Sequence, residues 1–448
     1  MTTSESALAV PRPWHQALNR AQWNALVASN LGWLFDGYEA YALVLSVGTA
    51  LNQLLDPARA AQAPVYAGAV VALTLFGWGV GGILGGLLAD YIGRKRTMML
   101  AIVAYSVVTG LSALAWSFPS FAVLRLLVGI AIGSEWVTGA SIVAELWPAR
   151  LRGRGIGFMQ CGLGMGFFAA SLAWVVVGRM GPAAWRVMFL LGVLPSLLAL
   201  WVRRTIPESE PWARADLRRR AAAERVRNGE TVGAHERALT RFTLSALFQA
   251  PELRRRTLVA FVMSLATNFA FWGITTWVPP YVAAVAARSG LTGPQWAGYG
   301  GLAYNGGAIA GYIVFGFLAD LWGRKPATVS YFAGALAMVP VLFLWTTDLH
   351  LLLVAAAFQG WFAAGQYTWM STWLPELYPT HLRATGAALV FNAPRFVACL
   401  GPVVSGALIA TFGGYSQAGL AVGSIYVLGL LATPLLPETR GQPLPDEA

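Results

Sequence analysis

The chain has 448 residues, of which 57% are hydrophobic and only 11% charged, against roughly 25% charged in an average soluble protein. So much apolar surface cannot be hidden inside a water-soluble core, which excludes an ordinary soluble enzyme and makes lipid the expected solvent. A formal charge of +11 would suggest nucleic acid in a soluble protein, but its placement along the chain points elsewhere, and no nucleic-acid partner is expected.

A bilayer core about 30 Å thick asks for about 20 apolar residues per helix. Such stretches are predicted at 24–49, 66–89, 97–116, 120–144, 155–178 and 184–203, and again at 255–283, 296–319, 327–346, 349–374, 384–411 and 415–436. The reading is an all-α membrane protein of twelve transmembrane helices. Residues 1–204 form an N-terminal six-helix half, 205–254 a central loop and 255–448 a C-terminal six-helix half. The many Gly residues within the spans suit helices packed in lipid, where small residues let backbones approach.

Of the 31 Lys and Arg residues, 25 fall in the N-terminus, the even-numbered loops and the C-terminus, or at the span ends beside them. The odd-numbered loops hold four, Arg59, Arg179, Arg186 and Arg288, while Arg125 and Arg395 lie within spans. By the positive-inside rule both termini and the central loop are cytoplasmic, in a bacterial inner membrane. The central loop is rich in Arg, Ala and Glu and is expected to be a linker with an amphipathic helix, its Arg218–Arg220 run a solvated face. Cys161 and Cys399 both fall in apolar spans, so no disulfide framework is indicated. The first twenty residues lack a basic start followed by an apolar core, and the first span is expected to direct insertion.

The chain also repeats itself. The run from Gly86 through Asp90, Gly93, Arg94 and Lys95 returns as Gly316 through Asp320, Gly323, Arg324 and Lys325. Glu145, Pro148, Arg152 and Gly155 return as Glu376, Pro379, Arg383 and Gly386, and Pro207-Glu208-Ser209 as Pro437-Glu438-Thr439. Three matches at one spacing imply two six-helix halves in parallel arrangement.

The doubled G-x-L-A-D-x-x-G-R-K loop resembles the signature of the major facilitator superfamily, across nearly the whole chain. Asp36-Gly37-Tyr38-Glu39, Arg125 through Gly129, Gly133 through Trp136, Trp185-Arg186, Trp272-Gly273 and Asn392 to Arg395 resemble its proton-coupled metabolite symporters, the sialic acid and lactate permease group above all. Aromatic-acid symporters share the acidic pair of the first span, with Asp where Glu39 stands here. The resemblance implies a cytoplasmic latch between the halves built from Asp90, Arg94, Asp320 and Arg324. Gly93, Glu145, Arg152, Gly323, Glu376 and Arg383 are assigned to the same gate.

Asp36, Glu39, Arg125, Glu135 and Arg395 are ionisable residues well inside spans. Each costs about 2.5–3.5 kcal/mol at the centre of a lone inserted helix, so each marks a functional position or a structural ion pair. The first half holds three carboxylates against one arginine; fixed charges cannot all pair, and at least one carboxyl is expected to spend time protonated. Asp36, Glu39, Arg125 and Glu135 are therefore assigned to proton coupling, with Glu39 expected to face Arg125, the position that the related sugar symporters imply. Arg395 aligns with Gly164 in the repeat, so the repeat itself gives no reason for a charge there, and its planar fork suits a carboxylate. With it, Asn268, Trp272, Tyr304, Asn305, Trp361, Gln366, Tyr367 and Asn392 are assigned to a small-molecule site, and Trp277 offers a further aromatic wall.

The function expected is proton-coupled symport of a small organic anion, such as a monocarboxylate, sugar acid or aromatic acid, by a monomer in the lipid bilayer. The proton is the coupling ion, with no other cofactor and no metal. Alternatives are symport of a neutral sugar or polyol, a metabolite or drug antiporter, for which the fifth span lacks the usual Gly-Pro pair, and a transporter-like sensor. A catalytic role is not expected, since no metal-ligand set, phosphate loop or Ser-His pairing is present.

Overall fold

The computed structural model describes residues 18–205, 207–228, 230, 233, 242–275, 277–291, 293–400, 404, 408, 409, 411, 412 and 414–445. The two termini whose side was predicted, the middle of the central loop and parts of the eleventh span beyond residue 400 lie outside them.

All regular structure among the described residues is helical. Span 1 is Arg20–Leu54, span 2 Ala63–Ile92, span 3 Arg94–Ser112, span 8 Gly293–Leu321, and span 9 runs Arg324–Trp345. The others are interrupted; span 12 is Tyr415–Gly423 then Tyr426–Ala432, followed by the turn Thr433–Leu435. Span 4 is Phe118–Ile132 followed by Glu135–Leu146, span 5 is Arg152–Gln160 then Gly162–Val177, and span 6 is Ala184–Leu191 then Pro195–Thr205. Span 7 is Pro251–Thr275 then Val278–Arg288, span 10 is Leu349–Gly365 then Thr368–Leu377, and span 11 begins as Arg383–Asn392 and Arg395–Ala398. Eight of the described helical stretches are long and apolar enough to cross a membrane. Breaks recur at matching places in the two halves, Gly133–Ser134 with Gln366–Tyr367 and Cys161 with Ala393–Pro394, as the sequence repeat requires.

Each repeat motif has a visible mechanical task. Gly93 sits at φ 105° and Gly323 at φ 114°, a region open to glycine, so span 2 turns into span 3, and span 8 into span 9, without a loop. Beyond each turn a glutamate closes the new helix. Glu208 accepts the backbone N–H groups of Arg94 and Lys95 at 3.0 and 3.1 Å, and Glu438 those of Arg324 and Lys325, both at 2.9 Å. These carboxylates satisfy orphan donors at the positive end of a helix dipole. A Cβ on Gly93 would also come within 2.4 Å of Glu208 Oε2. Gly93→Ala is therefore expected to cost about 1–3 kcal/mol, read as a lower unfolding temperature in detergent, with Ala at the exposed Gly48 as the neutral comparison.

The central loop holds the predicted helix, Glu210–Arg227, capped by the Ser209 hydroxyl on Trp212 N–H with Pro211 in the first turn. It does more than shed a charged face into water. Trp212 Nε1 and Arg219 Nη1 each donate to the Asp90 carbonyl at 3.0 Å, and the Arg219 guanidinium lies 4.6 Å from the centre of the Tyr91 ring. Arg219 thus departs from the solvated run expected of Arg218–Arg220; its charge is used to hold the linker helix beneath the span 2–3 turn. Span 7 starts at Pro251, four residues before the expected 255, because proline favours a first helical turn.

Candidate functional site

The two halves meet most tightly at the end of the bundle that carries the doubled loops. Asp90 accepts the backbone N–H groups of Ala384 and Thr385 at 3.3 and 2.8 Å, the first turn of span 11. Asp320 does the same for Gly153 and Arg154 of span 5, at 2.9 and 3.0 Å. Each aspartate therefore caps a helix of the opposite half. Glu145 receives Arg94 of its own half at 3.3 Å and Arg383 of the other at 2.7 Å; Glu376 receives Arg324 and Arg152, both at 2.8 Å. Arg94 also donates to the Thr380 carbonyl at 2.8 Å. All of these side chains are buried, so the ion pairs are little screened by salt.

Toward the middle of the bundle lies an aromatic layer. Trp136 of span 4 stacks on Phe391 of span 11, ring centres 3.4 Å apart and planes 8° apart. Trp33 meets Phe391 edge-on at 6.3 Å. Gln160, at the span 5 break, accepts from Trp136 Nε1 at 3.1 Å and from Ser371 of span 10 at 2.7 Å. It ties the halves together, yet it was not singled out in the sequence, since a lone glutamine beside Cys161 carries no motif.

Beyond this layer a cavity of ≈ 400 Å³, counting space open to solvent, is lined by Trp33, Ala40, Trp78, Leu163, Phe167, Phe271, Trp272, Tyr312, Tyr367 and Arg395. Arg395 is the charged member of that wall. Its guanidinium lies 4.1 Å from the Phe391 ring centre and 5.1 Å from that of Trp78. Nη1 donates to the Phe391 carbonyl at 2.8 Å and to Asn392 Oδ1 at 2.9 Å. Arg395 thus has partners inside its own span, and no carboxylate lies within ion-pair distance among the described residues. Asn392 serves as its orienting neighbour, and Nη1 alone of its fork is used.

The remaining predicted residues divide by position. Tyr367 and Trp272 line the cavity. Asn268 stands behind Tyr367, accepting its hydroxyl at 3.0 Å, and Tyr304 pairs with Thr275 at 2.6 Å. Gln366 donates to the Ala363 carbonyl at 3.0 Å. Asn305 and Trp361 are half-buried in spans 8 and 10 and do not line this cavity. Trp277 lies instead beside a small hollow inside the second half, with Phe343 and Tyr415.

The acids of the first half form a separate cluster. Arg125 makes its ion pair with Glu39 and also donates to Ser112, under the Phe189 ring 4.3 Å away. Glu135, the first residue of the second helix of span 4, lies against Gly32, where a Cβ would come within 1.8 Å of its Oε1. Gly32, Asp36 and Glu39 therefore share one stripe of span 1 turned toward span 4, while Trp33 and Ala40 on the adjoining stripe line the cavity. Both oxygens of Asp36 and of Glu135 are buried without a hydrogen-bond partner among the described residues. The charges that act on Asp36 are Glu135, Glu39 and, from the cavity, Arg395.

Residues 25–446 match the family described as Sugar (and other) transporter. The chain belongs to that family, within the major facilitator superfamily. Among its relatives are the cis,cis-muconate transport protein of Acinetobacter baylyi, 25% identical over 85% of this chain and 87% of that one, and the sialic acid transporter of Escherichia coli, 26% identical over 88% of each. The fold is that of the Escherichia coli proton:xylose symporter, with TM-score 0.77 at 19% identity, covering 95% of this chain and 98% of that one. The protein is thus a multi-pass membrane transporter and not an enzyme.

Proposed function

We propose that this transporter carries a small organic anion together with protons, and that a planar or conjugated carboxylic acid suits its cavity best. The observation that carries this is Arg395, set in a mostly aromatic wall between the two halves with Nη2 and Nε making no hydrogen bond to described residues. A carboxylate supplies what those donors need, and flat rings on either side favour a flat body. Relatives named for muconate and for sialic acid, both carboxylates, agree with an anionic substrate.

The coupling follows from the charge layout. A substrate carboxylate on Arg395 offsets the cation that acts on Asp36, so substrate and proton occupancy are linked across the Trp33 wall. Glu39 holds Arg125 when ionised; protonating it releases the guanidinium and loosens span 1 from span 4. The doubled Asp90 and Asp320 caps and the glutamate-arginine pairs act as the cytoplasmic latch, and the halves rock about the cavity as the latch opens. One chain contains every group used.

Uptake into proteoliposomes of labelled aromatic, conjugated and sugar acids beside neutral sugars tests the substrate class. Accumulation of a neutral sugar but of no acid would overturn it. On sidedness, a reporter fused at residue 219 is expected to show cytoplasmic activity, because Arg219 docks on the same turn that carries the basic loop; periplasmic activity there would invert the latch.

A further inference from the structure

Span 3 presents a buried polar stripe to the acids of spans 1 and 4. Tyr105, Ser106, Thr109 and Ser112 are each fully buried and fall at helical spacings of three and four. Ser112 receives Arg125. Thr109 stands beside Glu39, for a Cβ on Gly192 would lie 2.4 Å from its methyl and 3.0 Å from Glu39 Oε2. Tyr105 lies one turn deeper, where Glu135, Asp36 and Glu39 all act on its hydroxyl. The Tyr105, Ser106 and Thr109 hydroxyls, Glu39 Oε2 and both oxygens of Asp36 and Glu135 are buried with no hydrogen-bond partner among the described residues. Buried polar groups almost always have partners, so this many in one place marks a cluster suited to hold protons or internal water. Arg125 and Glu39 lie at its outer end, and Glu135 about 15 Å deeper. Tyr38 also borders Glu39 but is committed to the Met188 carbonyl at 3.1 Å, and Arg395 faces Asp36 from the cavity.

We propose that this cluster passes the proton between Glu39 and the Asp36–Glu135 pair, and that Tyr105 is the relay residue joining them. Its hydroxyl accepts a proton from one carboxylic acid, directly or through a water, as it donates its own to the opposite carboxylate. One proton moves, and tyrosine and water are unchanged. The proposal rests on the symport reading above.

Tyr105→Phe keeps the ring and removes the hydroxyl. In proteoliposomes, exchange of labelled for unlabelled substrate at equal pH is expected to match wild type, whereas uptake driven by a pH gradient falls about tenfold or more and its pH profile shifts. Wild-type uptake that responds to the gradient, together with an unchanged rate and profile in Tyr105→Phe, overturns the relay and leaves symport standing. Parallel loss of exchange and driven uptake makes Tyr105 a packing residue and also overturns it. No response of wild type to the gradient removes both readings.

Discussion

Glu39→Gln is expected to yield a transporter that still exchanges substrate across the membrane but no longer concentrates it. Glutamine keeps the length of the side chain and an oxygen for Arg125, so span 1 keeps its fit against span 4, but the group that gains and loses a proton is gone. The lost charge weakens the hydrogen bond to Arg125 by about 1.5–3 kcal/mol, part of which Ser112 and the Phe189 ring offset. Folding is therefore retained, checked by thermal unfolding in detergent. Driven accumulation drops to the level of simple equilibration, while counterflow persists. If the variant accumulates substrate against its gradient in a pH-dependent way, the titrating role passes to Asp36 or Glu135.

Arg395→Ala is expected to insert and fold but to bind the proposed acid substrate about 2–4 kcal/mol more weakly, roughly 30- to 1,000-fold in Kd. Lysine restores little, because a point charge lacks the paired donors of guanidinium and would not lie flat between Phe391 and Trp78. The discriminating measurement compares the transported acid with its amide. Wild type prefers the acid, and the preference vanishes in Arg395→Ala; equal affinity of wild type for both would sink the anchor. The competing assignment, a lock between Arg395 and Glu135, finds no support in the geometry, since Glu135 packs against Gly32 within the first half.

How far the sequence reached depended on the kind of signal. Span positions and the halves were legible because hydrophobic length is set by the bilayer, and the repeat fixed which residues correspond. Glu39 beside Arg125 is what the resemblance to the sugar symporters implies, and the structure pairs the two. Three things were hidden. Pro207-Glu208-Ser209 and Pro437-Glu438-Thr439 were noticed only as echoes, and capping by Glu208 and Glu438 shows only when the chain folds back over more than a hundred residues. Arg219 reads as one of three like charges, and only docking distinguishes it. Asp36 and Trp33 are three residues apart, yet one faces the acids and the other the cavity, a division set by helix rotation that composition does not reveal. Trp277 was placed with the cavity for the same reason and lies elsewhere.

The proposed latch occurs twice, with each aspartate capping a helix of the opposite half and each glutamate gripping an arginine from both. A lesion in one copy, such as Asp90→Asn, leaves the other intact, so damage at this end is graded in two steps. Single-copy variants would behave as partial leaks that still transport, and only the paired change at Asp90 and Asp320 would leave the cytoplasmic door ajar. Gene duplication has in this way given the transporter a spare bolt.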